Sequence, residues 1–388
     1  MPPLHEVAVV GGGRWARVLT EVLCELLPTS TRISMHSRHC VNELARWVTA
    51  QGLEQRIRVS PEWPVPERPG SSAVIIANAA RDHESAARHA LRSATAVLVE
   101  KPLALSAAGA RGLANLACDV QGRLAAAHVF LFAQYLNRFA SLLRTKDDPR
   151  LIRVRWIDPP GERRYGETKQ FDAGLPVFAD VLPHVSSILG VLAPDAPQEY
   201  AGIRVLRGGA QVELQLMIGG VPCHVLLARN GPRRERVIEV LADGSTVHLD
   251  FTVEPGIVVD NGVELNADPA WPRRSRPLKS MLEAFLHAAA SGRRDARLSL
   301  EPALQACALI DQISKAYHDA LACWLTARFA TPGMDAELRY ALNEILQANG
   351  PLTSAMLEHE IEELRRMQSG ADPGGWIQSI ARLNAHYS

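Results

Sequence analysis

The sequence has no apolar run that approaches the length of about 18 residues needed to cross a bilayer. It also lacks an excess of charge of either sign: 42 Lys and Arg balance 42 Asp and Glu, so nothing favours nucleic acid or a membrane surface as a partner. A strand pattern begins within a few residues of the start, which leaves no room for a signal peptide. We therefore expect a cytoplasmic protein that binds neither nucleic acid nor membrane.

Cysteine is sparse and shows no paired pattern. None of the six cysteines belongs to a C-x-x-C motif or to another spacing typical of metal sites, so we expect free thiols, a reducing compartment and no bound metal. Only five of the 388 residues are lysines, which makes the lysine at position 101 stand out.

The first motif is a glycine-rich turn of sequence GGGRWA between an apolar strand, Val7–Val10, and a helical pattern. In such a G-x-G-x-x-A fingerprint, Gly11 makes the tight turn, Gly13 lets the backbone approach a pyrophosphate, and Ala16 allows the helix to pack closely on the strand. The start of the helix adds free N–H groups and a positive dipole end. The predicted dinucleotide contacts of this turn are Gly11, Gly13, Arg14, Trp15 and Ala16.

The residues after the second predicted strand indicate which dinucleotide is bound. An NAD site usually carries an acid at this point to bind the ribose 2′-hydroxyl, whereas this chain has Ser37 and Arg38. A hydroxyl and a guanidinium suit a 2′-phosphate, so the sequence favours NADP(H) over NAD(H), without excluding NAD(H). The alternative is that Arg38 simply caps a surface loop.

Two further apolar runs end in polar residues. One stops at Glu100-Lys101-Pro102, and because Pro102 keeps Lys101 out of helical geometry, the lysine is held at the carboxyl end of a strand. Open α/β sheets bind ligands at that edge. The other run ends in Asn78 and leads to His83. Taken alone, adjacent opposite charges after a strand are more often a solvated loop than a site.

A later helical pattern, beginning near Val177, carries Asp180 and His184. Their spacing of four places both on one helix face, where a carboxylate can orient an imidazole or raise its pKa. The alternative is an ordinary surface pair.

The order of these patterns predicts the fold and the domains. Strand and helix alternate at first, which predicts a doubly wound parallel sheet, and strand-like runs at hairpin intervals then predict a mostly antiparallel sheet in an α+β domain. We place a dinucleotide-binding Rossmann domain at 1–148, an α+β substrate and oligomerisation domain at 149–325, and a helical extension at 326–388. The strands predicted for the second domain are 152–157, 200–206, 211–218, 222–229, 235–241 and 245–252, and two long helices are predicted at 276–291 and 300–325.

Together these motifs resemble the Gfo/Idh/MocA oxidoreductases over the first two predicted domains. The family pattern is matched by the glycine turn, by the step from Asn78 to His83, by Glu100–Leu103 and by a D-x-x-x-H in Asp180–His184. Within the family the chain looks most like members that act on sugars or nucleotide-sugars, on the stretches 128–132 and 180–189. The resemblance implies an N-terminal Rossmann domain, a C-terminal domain with a large open sheet, and an NAD(P)-dependent oxidoreductase.

The resemblance also implies roles for single residues. Hydride transfer at a carbon that bears oxygen needs a proton moved at that oxygen. His184 is then the general acid or base, Lys101 polarises the same oxygen, and Asp180 positions His184. Further contacts to the cofactor or substrate are expected from Asn78, His83, Glu100, Lys101, His128, Asn137 and Arg138. For His128 the alternative is interior packing, and for Asn137 and Arg138 an exposed helix face.

Three functions are compared. The first is reduction or oxidation of a sugar or nucleotide-sugar, as a ketoreductase in a biosynthetic pathway. The second is an imine reductase of the thiazolinyl type in siderophore or nonribosomal peptide biosynthesis, and the third is a non-catalytic regulator that senses the dinucleotide. Retention of Lys101 and His184 favours the first. We also expect a homodimer or homotetramer through the C-terminal sheet, while the extension packs on its own chain, forms a dimer contact or docks a protein partner.

Overall fold

The computed structural model describes residues 4–93, 96–146, 148–164, 167–168, 175–229 and 231–328. They form two compact units. The first consists of the described residues of Met1–Leu143, Leu182–Asp195 and Ala267–Asp311, and the second of those of Arg144–Val181, Ala196–Asn266 and Gln312–Ser388. The domain boundaries predicted at 148 and 325 stay predictions.

A parallel sheet organises the first unit. Its strands are β1 (Glu6–Val10), β2 (Arg32–His36), β3 (Ile57–Ser60), β4 (Ser72–Ile76), β5 (Ala96–Val99) and β6 (Arg123–Ala126). They lie in the order β3-β2-β1-β4-β5-β6, the doubly wound arrangement whose direction switches between β1 and β4. The helices between them are α1 (Arg14–Leu26), α2 (Val41–Ala50), α3 (His83–Ser93), α4 (Ala107–Asp119) and α5 (Gln134–Leu143).

Both faces of this sheet are apolar, which is why its strands have the uninterrupted apolar runs seen in the sequence. Val7 and Val9 of β1 enter a core that also holds side chains of α1 and α2, whereas Ala8 and Val10 enter a second core with side chains of α3 and α4. The alternation follows the two-residue period of a strand. A serine before a helical pattern predicts an N-cap at Ser106, and α4 begins there: the Ser106 hydroxyl accepts a hydrogen bond from the Gly109 amide at 3.0 Å.

A mixed sheet of eight strands organises the second unit. Its strands are β7 (Pro149–Ile157), β10 (Gln198–Leu206), β11 (Gln211–Ile218), β12 (Val221–Ala228), β13 (Glu235–Ala242), β14 (Ser245–Asp250), β15 (Ile257–Asp260) and β16 (Val263–Asn266), beside a separate pair formed by β8 (Arg163–Arg164) and β9 (Glu167–Thr168). Their order is β10-β11-β12-β7-β13-β14-β15-β16, and only the pair β12 and β7 is parallel. The fold class predicted from the sequence is confirmed.

Three more helices complete the described chain. They are α6 (Val177–Leu192), α7 (Pro277–Ser291) and α8 (Glu301–Arg328). α7 belongs to the core of the first unit, where Met281 and Phe285 are buried. No helix among the described residues is long and apolar enough to cross a membrane.

The sequence misplaced some boundaries. The apolar run at Leu124–Val129 predicts a strand over its whole length, but β6 ends at Ala126, because the chain then turns into a 3-10 helix at Val129–Phe132. β3 was not predicted because it is short. The hairpin of β15 and β16 was not predicted either, since every residue of β16 is exposed and no alternating apolar pattern marks it. α8 runs past residue 325 to Arg328, and the remaining helices predicted for the extension lie outside the described residues.

Candidate active site

The turn after β1 depends on a glycine. Gly11 has a φ of +149°, and its amide donates to the His36 carbonyl at 2.9 Å. A Cβ placed on it would lie 2.4 Å from the carbonyl oxygen of Ala77. No side chain fits where the ends of β1 and β4 approach so closely, so the tight-turn role predicted for Gly11 has a clear steric reason.

The start of α1 leaves room for a ligand. Gly13 is the N-cap, no side chain caps the helix, and a Cβ on Gly13 would meet no atom within 4 Å. The first N–H groups of α1 have no acceptor within the helix itself, and Ala16 is fully buried. A helix start of this kind fits the pyrophosphate of a dinucleotide.

The loop after β2 packs against the glycine turn. The Ser37 hydroxyl accepts a hydrogen bond from the Cys40 amide at 3.2 Å, and a Cβ on Gly12 would lie 2.6 Å from that hydroxyl oxygen. Arg38, the next residue, is exposed. The Ser37 hydroxyl thus adjoins the turn, and the contact of Ser37 and Arg38 with a 2′-phosphate stays a prediction.

A buried acid connects the glycine turn with the lysine motif. Glu100 is only 6% exposed, and its carboxylate accepts hydrogen bonds from the Trp15 side chain and from the Lys101 amide, the latter at 3.3 Å. Burial raises the pKa of this carboxyl, and the bond from Trp15 and the charge of Lys101 act against that rise. Trp15 therefore has a definite structural partner in addition to its predicted place at the cofactor.

His83 holds two strand ends together. It is 2% exposed, with Nδ1 2.7 Å from the Pro102 carbonyl oxygen and Nε2 3.1 Å from that of Asn78. Burial lowers the pKa of His83, which favours the neutral ring. A neutral ring has one N–H, so it donates to only one of the two carbonyl oxygens at a time. The Lys101–Pro102 peptide bond, which the sequence left as an extended or turn step, is cis. The cofactor contact predicted for His83 stays a prediction.

Asn78 fits a cofactor contact more directly. It follows β4 at the carboxyl edge and is half-buried, and its side-chain oxygen has no hydrogen-bond partner among the described residues. A buried carbonyl oxygen of this kind is a ready acceptor for a hydroxyl or amide group of a ligand.

Lys101 and His184 both belong to the first unit, and His128 is near each of them. Lys101 is half-buried after β5, and its charge acts on the ring of His128. That ring also makes a hydrogen bond to the backbone of Pro183, the residue before His184. His184 is half-buried on α6, and its ring meets the Phe130 ring edge-on, with centroids 5.2 Å apart. The structure thus groups the predicted proton-transfer residues at the carboxyl end of the parallel sheet.

Asp180 has a partner that the sequence did not reveal. In the second unit its Oδ2 lies 3.4 Å from Nη2 of Arg229, whose side chain is 5% exposed. Asp180 and His184 are four residues apart on α6, as predicted, and Arg229 limits the orientations open to the Asp180 carboxylate. The signal for Arg229 was present, because it ends the apolar run of β12 as Lys101 ends that of β5.

Asn137 and Arg138 lie on α5, on the face opposite its buried residues Tyr135, Leu136 and Phe139. Asn137 is half-buried and Arg138 is exposed. Their substrate contacts stay a prediction. No cluster of His, Cys, Asp and Glu side chains able to hold a metal occurs in the part of the chain that the structure describes.

Comparison with known proteins identifies a family for residues 5–128. Residues 5–128 match the Gfo/Idh/MocA model, described as an oxidoreductase family with an NAD-binding Rossmann fold. These residues belong to the Gfo/Idh/MocA oxidoreductases. The resemblance drawn from the motifs is confirmed, and the protein is an NAD(P)-dependent oxidoreductase. The match contains the glycine turn, Asn78, His83 and Lys101, and it ends at His128.

Solved structures extend the likeness beyond the Gfo/Idh/MocA segment. UDP-N-acetylglucosamine 3-dehydrogenase GnnA from Acidithiobacillus ferrooxidans is 17% identical, with a TM-score of 0.65 over 83% of this chain and 100% of its own. KijD10, a 3-ketoreductase from Actinomadura kijaniata in complex with NADP and TDP-benzene, is 18% identical, with a TM-score of 0.65 over 81% of this chain and 98% of its own. Biliverdin reductase from Synechocystis, in complex with biliverdin and NADP+, is 19% identical, with a TM-score of 0.60 over 80% and 98%.

At these identities the likeness is one of fold. No curated protein matches the sequence at a significant level.

Proposed function

We propose that the protein is an NADP-dependent ketoreductase or dehydrogenase that transfers a hydride between nicotinamide and a carbonyl or hydroxyl carbon of a sugar or nucleotide-sugar, in a cytoplasmic biosynthetic pathway. The observation that carries the proposal is the grouping of Lys101 and His184 around His128 at the carboxyl edge of the parallel sheet. Ligands bind open α/β sheets at that edge.

The chain supplies binding groups for the cofactor. The open start of α1 takes the pyrophosphate, Ser37 and Arg38 take the 2′-phosphate, and the Asn78 oxygen accepts from the ribose or the carboxamide. The bound nicotinamide gives or takes the hydride. Because Glu100 and His83 hold both sides of the Lys101–Pro102 step, the lysine enters the site from a rigid support.

The proton is moved by this chain's own side chains. In the reductive direction His184 donates a proton to the substrate oxygen, and in the oxidative direction it removes that proton. The Lys101 ammonium donates a hydrogen bond to the same oxygen and stabilises the negative charge that develops on it. Asp180, held by Arg229, orients the imidazole from the same helix face.

The sugar-nucleotide class is supported by GnnA and KijD10, whose names describe a UDP-N-acetylglucosamine 3-dehydrogenase and a 3-ketoreductase. Reduction of an imine in siderophore assembly, the second candidate, is disfavoured by the presence of Lys101.

We further propose a homodimer or homotetramer through the open face of the eight-stranded sheet. Charged side chains of neighbouring strands line a cavity of about 640 Å³ on that face, and some of them form ion pairs, such as Arg153 with Glu239 at 2.8 Å.

The test uses the purified full chain. NADPH and NADH are titrated by fluorescence, and the protein is then incubated with NADP+ and a set of UDP- and TDP-sugars while NADPH formation is followed. We expect NADPH to bind more tightly and at least one sugar nucleotide to be oxidised.

Lys101→Ala and His184→Ala should then lower kcat by about 10²- to 10⁴-fold, and His184→Ala should leave NADPH affinity unchanged. The matched controls are Lys279→Ala and His287→Ala on α7, a surface lysine and an exposed histidine, which should leave kcat unchanged. Tight NADPH binding without turnover of any sugar nucleotide would instead favour an imine substrate or a sensor.

A further inference from the structure

His128 is a polar ring that the fold encloses completely. It is 1% exposed, follows β6 and directly precedes the 3-10 helix Val129–Phe132. Its backbone amide donates to the Ala126 carbonyl at 3.1 Å, so the segment is tied to the end of the sheet. A ring buried this deeply is normally held by a hydrogen bond.

The neutral His128 ring has one N–H, and it donates that N–H to a backbone carbonyl of the protein. His128 makes a hydrogen bond to the Pro183 carbonyl, and Nδ1 has no partner among the described residues, so Nε2 is the donor. Burial, with a smaller contribution from the Lys101 charge, lowers the pKa of His128 to about 4. The ring is therefore neutral at neutral pH.

The acceptor of this bond stands next to His184. Pro183 lies inside α6 and has no N–H, so the helix lacks the hydrogen bond that this N–H would donate one turn towards its start. Two side chains bond the carbonyls that follow: His128 bonds the Pro183 carbonyl, and the Ser187 hydroxyl donates to the His184 carbonyl at 2.8 Å. Phe130, two residues after His128, meets the His184 ring at an interplanar angle of 84°.

We propose that His128 is a positioning residue, whose N–H bond to the Pro183 carbonyl sets the place of the His184 imidazole, and that it neither contacts substrate nor exchanges protons. This inference rests on the proposed role of His184 as acid or base. It replaces the substrate contact that the sequence suggested for His128. The segment from His128 to Phe130 then acts on both the backbone and the ring of His184.

The test needs no substrate. The full-length protein is labelled with ¹⁵N-histidine, and NMR correlation spectra are recorded against pH for wild type, His128→Gln and His128→Leu, with His184→Gln used for assignment. The Gln side chain keeps an N–H near the place of Nε2, whereas Leu removes it. We expect the wild-type His128 signals to be those of the neutral Nε2–H form well below pH 6.

The two variants should affect His184 differently. In His128→Leu the His184 titration should move by about half a pH unit or more, and in His128→Gln it should stay near that of wild type. With a sugar-nucleotide substrate in hand, His128→Leu should lower kcat by about 10- to 100-fold at unchanged KM, and Gln should restore most of it.

Three results would overturn the inference: a His128 that titrates near its ordinary pKa, a folded Leu variant with an unchanged His184 signal, or a Gln variant that behaves like Leu. If the Leu variant does not fold, His128→Met takes its place, since it also lacks the N–H, and an unmoved His184 signal there is equally decisive. Absence of sugar-nucleotide turnover would count against the proposed function alone, because the spectra do not depend on it.

Discussion

Substitution of two neighbouring glycines by alanine should separate folding from cofactor binding. At Gly11 the new Cβ lies 2.4 Å from a backbone carbonyl oxygen, and the φ of +149° is one that alanine rarely adopts. Strained backbone costs about 1–3 kcal/mol and a forced backbone shift about as much again, so Gly11→Ala should lower the free energy of unfolding by about 2–6 kcal/mol.

Gly13→Ala should have the opposite profile. Its Cβ meets no atom within 4 Å, so the only cost is that alanine is a poorer N-cap than glycine, about 0.5–1 kcal/mol of the free energy of unfolding. The same methyl enters the space in front of the α1 N–H groups, where the pyrophosphate is expected. NADPH affinity should therefore fall by about tenfold or more, the equivalent of about 1.4 kcal/mol.

Urea unfolding measures the first effect and NADPH fluorescence titration the second. Each variant is the control for the other, because the two residues lie in the same turn. A Gly13→Ala protein that binds NADPH as wild type does would refute the placement of the pyrophosphate at α1. A Gly11→Ala protein as stable as wild type would refute the steric account of the turn.

Three other substitutions test separate parts of the first unit. Arg38→Ala should weaken NADPH binding by about tenfold or more and leave NADH binding unchanged, whereas Arg46→Ala, an exposed arginine on α2, should change neither; equal losses for both nucleotides would contradict a 2′-phosphate contact. Arg123→Ala removes hydrogen bonds of 2.9 and 3.0 Å to the Ala288 and Ala289 carbonyls near the end of α7, so urea unfolding should show a loss of about 1–3 kcal/mol, and an unchanged midpoint would argue against this cap. Because the pKa of His128 is lowered to about 4 in the folded protein, the unfolded chain binds a proton there first as the pH falls. Through this group the free energy of unfolding of wild type should fall by about 3 kcal/mol between pH 6.5 and 4. The His128→Gln variant should lack that part of the fall, and identical pH profiles of the two proteins would contradict it.

The features that the sequence predicted correctly are those encoded within a few residues. The glycine turn, the Ser106 cap and the helix that carries Asp180 and His184 each depend on neighbours in the chain. The hairpin of β15 and β16 was missed for the converse reason: its exposed edge strand buries too little apolar surface to leave a pattern, and its pairing with β14 is what holds it in the sheet.

The sequence by itself determined the class of the protein, the turn that suits a dinucleotide, and the strand end that presents Lys101, because strand and helix periods and glycine and proline sterics act locally. Only the tertiary structure decided which polar groups pair: Trp15 with Glu100, Arg229 with Asp180, and His128 with the carbonyl before His184. A hydrogen bond is a condition on distance and direction between two groups. When those groups lie tens of residues apart, no periodicity in the chain records the condition, and it is met only once the strands and helices have packed.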